Sequence, residues 1–146
     1  MKRFNLWLAC LLMALFAVSA QAQQRPYADG PVTIVSSIKV VDGQFENYMS
    51  YLNANWRRAM EEAKKTGLVT DFHVYGAQAH NPSEPDLYLV VTYPNMAAFD
   101  GIDEKMDAIQ TKVTKMNYKE ADEASGKRVV MRELLGQMMV RELVFK

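Results

Sequence analysis

An acid, an imidazole and a phenol alternate along one short segment of the chain, at Asp71, His73 and Tyr75. The surrounding run, residues 68–77, alternates well enough to predict a β-strand. Because alternate residues of a strand point to the same face of a sheet, we expect these three side chains side by side. They are candidates for proton transfer, and the alternative is that they pair with neighbours or face water on a half-buried strand.

Metal and thiol chemistry have little support in the sequence. The chain has only two histidines, His73 and His80, and its one cysteine lies in the N-terminal segment described below. His80 falls in a polar loop, where solvation explains it. Sites that bind through several imidazoles are therefore excluded, and we predict no metal. We also predict no cofactor, because the chain has no Gly-rich phosphate loop and no HExxH helix.

The N-terminus has the three parts of a secretory signal. Lys2 and Arg3 precede an apolar run over residues 6–18, and small residues follow at Ala20 and Ala22. The run has 13 residues, which is short of the about 20 that a membrane-spanning helix needs. We predict cleavage after Ala22, with cleavage after Ala20 as the alternative, and a periplasmic or secreted protein with no membrane anchor.

Loss of residues 1–22 changes the composition that matters. The signal contains Trp7, the only cysteine (Cys10) and two of the 17 basic residues, so 15 basic residues remain against 17 acidic ones and the formal charge is −2. A chain without a basic excess is not expected to bind nucleic acid. We expect a short flexible segment over residues 23–31 and a single domain over residues 32–146.

Hydrophobic periodicity predicts strands and helices in a regular order. A β-branched run favours a first strand, and apolar residues at helical spacing follow until Gly67, which ends the helix. The predicted strands are residues 32–41, 68–77, 87–93 and 138–145, and the predicted helices are residues 45–66, 96–114 and a broken helix within 117–135. Asn95 is expected to cap the second helix, and Ser125-Gly126 to break the third.

This order, β-α-β-β-α-β with an extra helix before the last strand, predicts an α+β ferredoxin-like fold with a four-stranded antiparallel sheet. Helices would cover one face of that sheet. The third strand is apolar throughout, so we expect it to be covered on both faces, and two chains packed sheet to sheet would cover it.

Element order, the junction Val41–Tyr48 and the run Asp86–Phe99 resemble the dimeric α+β barrel superfamily, which includes NIPSNAP-like and small-monooxygenase-like domains. The resemblance covers residues 32–146 and implies a homodimer that associates through its sheet faces. None of the matching residues is a catalytic signature, and activities differ widely among proteins of this fold.

Aromatic residues are frequent on the elements that would enclose a pocket. Trp56, Phe72 and Tyr88 are the predicted pocket residues, and an apolar or aromatic small molecule is the predicted ligand. One alternative is a cofactor-independent monooxygenase or haem-active enzyme of the same fold. Another is a structural or protein-interaction module.

Overall fold

The computed structural model describes residues 24–146, which form an α+β structure with a four-stranded antiparallel sheet and three helices. The predicted signal, residues 1–22, lies outside the described residues. The strands are β1 (Tyr27–Val40), β2 (Asp71–Gly76), β3 (Leu87–Tyr93) and β4 (Arg132–Phe145), in the sheet order β2-β3-β1-β4. The helices are α1, with α-helical parts Phe45–Tyr51 and Arg57–Lys65, α2 (Ile102–Thr114) and α3 (Tyr118–Lys127).

Strand β3 organises the sheet. It pairs with β1 through contacts such as Val35 with Val90, and with β2 through contacts such as Tyr75 with Tyr88. Its side chains alternate between two environments. Leu87, Leu89, Val91 and Tyr93 are buried, whereas Tyr88, Val90 and Thr92 are half-buried. Within a single chain, only one face of β3 is fully buried. The prediction that both faces are covered therefore holds for one face only.

Helix α1 follows a turn at Gly43, whose φ of 75° is in the left-handed region that glycine tolerates. The helix ends before Gly67, which has a φ of 77°, as predicted. Between its two α-helical parts, residues Leu52–Trp56 form a π-helix. The periodicity of the sequence did not predict this wider turn.

Two hydrophobic clusters fill the space between the helices and the sheet. The first is centred on Ala63, Val69 and Ile109, and the second on Ile38, Tyr48 and Leu87. Trp56 is partly buried and packs against both clusters. It therefore joins the two halves of the core.

Several predicted boundaries were wrong. β1 begins at Tyr27, so residues 27–31 belong to a strand rather than to a flexible segment. At Gly30 an added Cβ would lie 2.9 Å from Cγ2 of Val144, so this close strand pairing requires a glycine. β4 begins at Arg132, six residues before the predicted start.

The helices after β3 also differ from the prediction. Residues Met96–Phe99 form a 3-10 turn, and α2 begins only at Ile102. Asn95 is fully extended and its side chain caps nothing among the described residues. Helix α3 runs without a break through Gly126 to Lys127, stabilised at its start by a reciprocal capping box between Asn117 and Glu120.

Asp86, just before β3, forms hydrogen bonds to β1 and to the residue after β2 at one end of the sheet. Its carboxylate accepts hydrogen bonds from the Val40 amide at 2.9 Å and from Lys39 Nζ at 3.0 Å. Its own amide donates to Ile38 O at 2.8 Å, and its carbonyl accepts from the Ala77 amide at 2.7 Å. Burial alone would raise the pKa of Asp86, but the bonds from Val40 and Lys39 outweigh it, so the pKa is lowered.

Replacement of this carboxylate should weaken the fold in a pH-dependent way. We expect Asp86→Asn to lower the free energy of unfolding by about 1 kcal/mol at neutral pH, since it removes charge-assisted hydrogen bonds. Because the folded pKa lies below the ordinary value of 3.8, the difference from wild type is present above that value. It should disappear as the pH falls through the folded pKa. Urea unfolding across this acid range measures it, and a difference that is constant with pH would contradict the assignment. Asp42→Asn, in an exposed turn, is the control.

Lys115 ends α2 with a φ of 64°, a left-handed conformation that is costly for a side chain with a Cβ. We expect Lys115→Gly to raise the free energy of unfolding by about 0.5 kcal/mol, because the relief of backbone strain exceeds the added freedom of the unfolded chain. Glu123→Gly, at an exposed position in the middle of α3, should instead destabilise by about 1 kcal/mol. Thermal unfolding of both variants tests this, and destabilisation by both would contradict it.

Candidate functional site

Two cavities adjoin α1 and share the side chains of Leu52 and Trp56. The first, which we call the edge cavity, has a volume of about 300 Å³ and lies against strand β2. The second, the inner cavity, has a volume of about 160 Å³ and is lined by residues of α1, β1, β3, β4 and the turn before β4. The full edge lining is Met49, Leu52, Asn53, Trp56, Arg57, Phe72, His73 and Val74.

Two of the three predicted pocket residues meet in the edge cavity. The rings of Trp56 and Phe72 pack edge to face with centroids 5.6 Å apart. This geometry follows from their elements, because the π-helix presents Trp56 towards the helix-covered face of β2, where Phe72 lies. Edge-to-face aromatic pairs add to the stability that burial alone provides.

The third predicted pocket residue, Tyr88, does not join them. It occupies the alternate, half-buried face of β3, opposite Leu87 and Leu89 of the core. Its partner across the sheet is Tyr75. Tyr88 therefore lies beside the acid–base row and on the other side of the sheet from Trp56.

The three candidates for proton transfer do lie in a row on the open face of β2. His73 Nε2 is 3.1 Å from Asp71 Oδ2, and the rings of His73 and Tyr75 have centroids 5.5 Å apart. Lys64 Nζ donates to Asp71 Oδ1 at 3.0 Å. This bond, together with the bonds from the Phe72 amide and from His73, lowers the pKa of Asp71.

All three side chains are open to water in the single chain, with Tyr75 52% exposed. Asp71 can orient the His73 imidazole. Without exclusion of water, however, the row lacks the enclosed environment in which such groups work best. His80, in the loop before β3, is exposed and its amide donates to Glu84.

Sequence reasoning missed the charged part of the inner cavity. Arg128 and Arg132 line it together with Tyr51 of α1. The guanidinium carbon of Arg128 lies 4.9 Å from the centre of the Tyr51 ring, a distance typical of a cation–π contact. The sequence predicts a broken helix within residues 117–135, and this prediction gives no reason to place the two arginines together.

A larger groove of about 580 Å³ lies between the end of α1 and α2. An ion pair between Glu62 and Lys112 crosses it, and none of the predicted site residues lines it. The bond from Lys112 is the main cause of a lowered pKa at Glu62. This pairing links the two helices, and Lys105, the third charged residue of the groove, donates to Asp100 O at 2.6 Å.

Within residues 24–146, no group of three or more His, Cys, Asp or Glu side chains could hold a metal ion. In the same part of the chain, every helix is too short or too polar to cross a membrane.

No family model matches the sequence, and a comparison with curated proteins found no match. Among solved structures, the chain is similar to HapK from Hahella chejuensis, with 19% sequence identity and a TM-score of 0.47. The alignment covers 76% of this chain and 91% of that chain. No function is transferred from a likeness at this level.

The contact between Trp56 and Phe72 can be tested through fluorescence, since Trp56 is the only tryptophan outside the predicted signal. In the cleaved chain, Phe72→Ala should shift the emission maximum to longer wavelength and lower the free energy of unfolding by about 1–3 kcal/mol, because it opens the edge cavity to water. Tyr75→Ala, on the opposite face of the same strand, should leave the emission maximum unchanged. Equal shifts in both variants would contradict this placement of Trp56.

Proposed function

We propose that the mature chain is an exported homodimer that binds an apolar or aromatic small molecule in the cavities around Trp56. The binding proposal rests on the two cavities that adjoin the Trp56 side chain. Trp56 and Leu52 line both the edge cavity and the inner cavity. A concave site with aromatic walls and few polar groups is typical of small-molecule binding.

The π-helix supports this proposal. Such wider turns cost hydrogen-bond geometry and are found frequently at functional sites. Here the turn spans Leu52–Trp56, and the Asn55 side chain donates to Tyr51 O at 3.3 Å. The irregular turn and both cavities therefore occupy the same part of α1.

The cavities can be tested by filling them. Leu52 lines both cavities. We expect Leu52→Phe, whose larger side chain would extend into the space that Leu52 borders, to weaken binding of the probe benzamide at least tenfold. Ala54→Phe, on the exposed side of the same helix, should leave it unchanged. Isothermal titration calorimetry with the cleaved chain measures the affinities. Wild-type protein that binds no benzamide would overturn the proposal, as would equal weakening by both variants. Native mass spectrometry of protein from its own periplasm would identify a retained ligand.

The dimer proposal rests on apolar surface. The open face of the sheet presents Val35 and Val90 next to each other, and both are half-buried in the single chain. Along β4 the exposed apolar side chains include Leu134, Leu135, Met138, Met139 and Leu143. Long apolar edge strands are an aggregation hazard unless something covers them. A second copy would cover both surfaces at once, in the ferredoxin-like dimeric α+β barrel arrangement that the sequence resembles.

A charge placed on the open face should separate the subunits. We expect wild-type protein to sediment as a dimer and Val90→Lys as a folded monomer, because a lysine tolerated at a half-exposed position becomes costly when a partner buries it. Val129→Lys, at a position 67% exposed on the turn before β4, should remain dimeric. A monomeric wild type in analytical ultracentrifugation would overturn the dimer without affecting the binding proposal.

An enzyme of the same fold is the second candidate, favoured by the hydrogen-bonded pair of Asp71 and His73 beside Tyr75. For the haem-active form, added hemin should give a shifted Soret band in wild type that His73→Ala removes. An unshifted band, or the same shift in both proteins, would exclude it. A cofactor-independent oxygenase would act without hemin through the same row.

A further inference from the structure

We propose that the inner cavity selects a one-ring aromatic acid, whose ring lies against Tyr48 and Trp56 and whose carboxylate binds Arg128 and Arg132. This inference rests on the proposed binding function and names the chemical class of its ligand. It comes from a charge imbalance. The mature chain has more acidic than basic residues. In the lining of this cavity, however, both charged side chains are cationic.

The lining of the inner cavity contains no carboxylate. Its members are Ser36, Ile38, Tyr48, Tyr51, Leu52, Trp56, Leu89, Arg128, Arg132 and Leu134. A neighbouring cavity of about 230 Å³ shares Tyr51 and Arg128 and likewise has no acidic residue in its lining. An anion entering from either side would meet positive charge without a competing carboxylate.

Both guanidinium groups keep donors available. Within residues 24–146, neither Arg128 nor Arg132 has a carboxylate oxygen within 4.0 Å, although both residues are half-buried. Arg128 donates one bond to Ser125 Oγ at 2.7 Å, which leaves the rest of its five donors. The partners that these guanidinium groups do have are neutral, namely Ser125 and the Tyr51 ring for Arg128 and the Tyr48 phenol for Arg132. A bidentate carboxylate is the partner whose charge and geometry fit a guanidinium best.

The opposite wall of the cavity is suited to a ring. Tyr48, Leu52 and Ile38 are at most 3% exposed. The rings of Tyr48 and Tyr51 stand nearly parallel, with centroids 6.1 Å apart and planes inclined by 10°. A volume of about 160 Å³ suits one aromatic ring, since an apolar protein cavity of about 150 Å³ can bind benzene.

Tyr48 adds a neutral hydrogen-bonding group to this wall. Burial raises the pKa of its phenol, and the nearby Arg132 and Arg128 only partly offset that effect. The phenol therefore keeps its proton at neutral pH. The neutral phenol accepts a hydrogen bond from Arg132 without neutralising its charge, and its hydroxyl can donate to a ligand carboxylate.

The test compares benzoate with benzamide, which has the same ring and no charge. With the cleaved wild-type chain, calorimetry should give a benzoate Kd at least about tenfold lower than the benzamide Kd, as charge-assisted hydrogen bonds are about twice as strong as neutral ones. Arg132→Gln and Arg128→Gln should each remove this preference while leaving the benzamide Kd within about twofold. Arg58→Gln, on the exposed side of α1, should change neither affinity.

Equal wild-type affinities for benzoate and benzamide would overturn the acid preference and leave the proposed aromatic site standing. Failure of both probes to bind would overturn the proposed function as well. If Arg132→Gln does not fold, as circular dichroism would show, Arg132→Lys keeps the charge and loses the two-pronged geometry. That variant should then retain only part of the preference, and an unchanged preference would overturn the role of Arg132.

Discussion

Helices cover one face of a four-stranded sheet, and the rest of the structure depends on this one-sided cover. Strand β3 shows the constraint directly, because Leu87, Leu89, Val91 and Tyr93 are buried while the residues between them are only half-buried. The buried face requires an amphipathic helix of the right length above it. The other face leaves apolar side chains such as Val90 with no cover from the described chain.

Helix α1 meets the first requirement and produces the candidate site in doing so. It must contact both halves of the core, and Trp56 is the side chain that packs against both. A regular helix would continue the same stripe at constant pitch, whereas the π-helix at Leu52–Trp56 widens one turn. The cavities lie where this wider turn meets β2 and β4, so they follow from the way in which the helix spans the sheet.

The strands and first helix could be predicted because their residues alternate or recur at fixed spacing. The same period of two correctly placed Asp71, His73 and Tyr75 on one face. It could not place Tyr88 with Phe72, because the pairing of strands, not the sequence of either strand alone, decides which residues become neighbours. Arg128 and Arg132 were missed for a related reason. Gly136 and the good helix formers before it favour a strand that begins at residue 138, whereas β4 begins at Arg132.

The sheet separates the inner cavity from the acid–base row, whereas the edge cavity is lined in part by His73. Phe72 faces α1 and its cavities, whereas His73, the next residue, directs its imidazole towards Asp71 on the open face. A ligand held between Tyr48 and Arg132 is therefore on the opposite side of the sheet from the acid–base row of the same chain. Binding in the inner cavity needs no help from His73. Proton transfer by His73 needs instead that the open face be enclosed, and a second molecule on that face would enclose it.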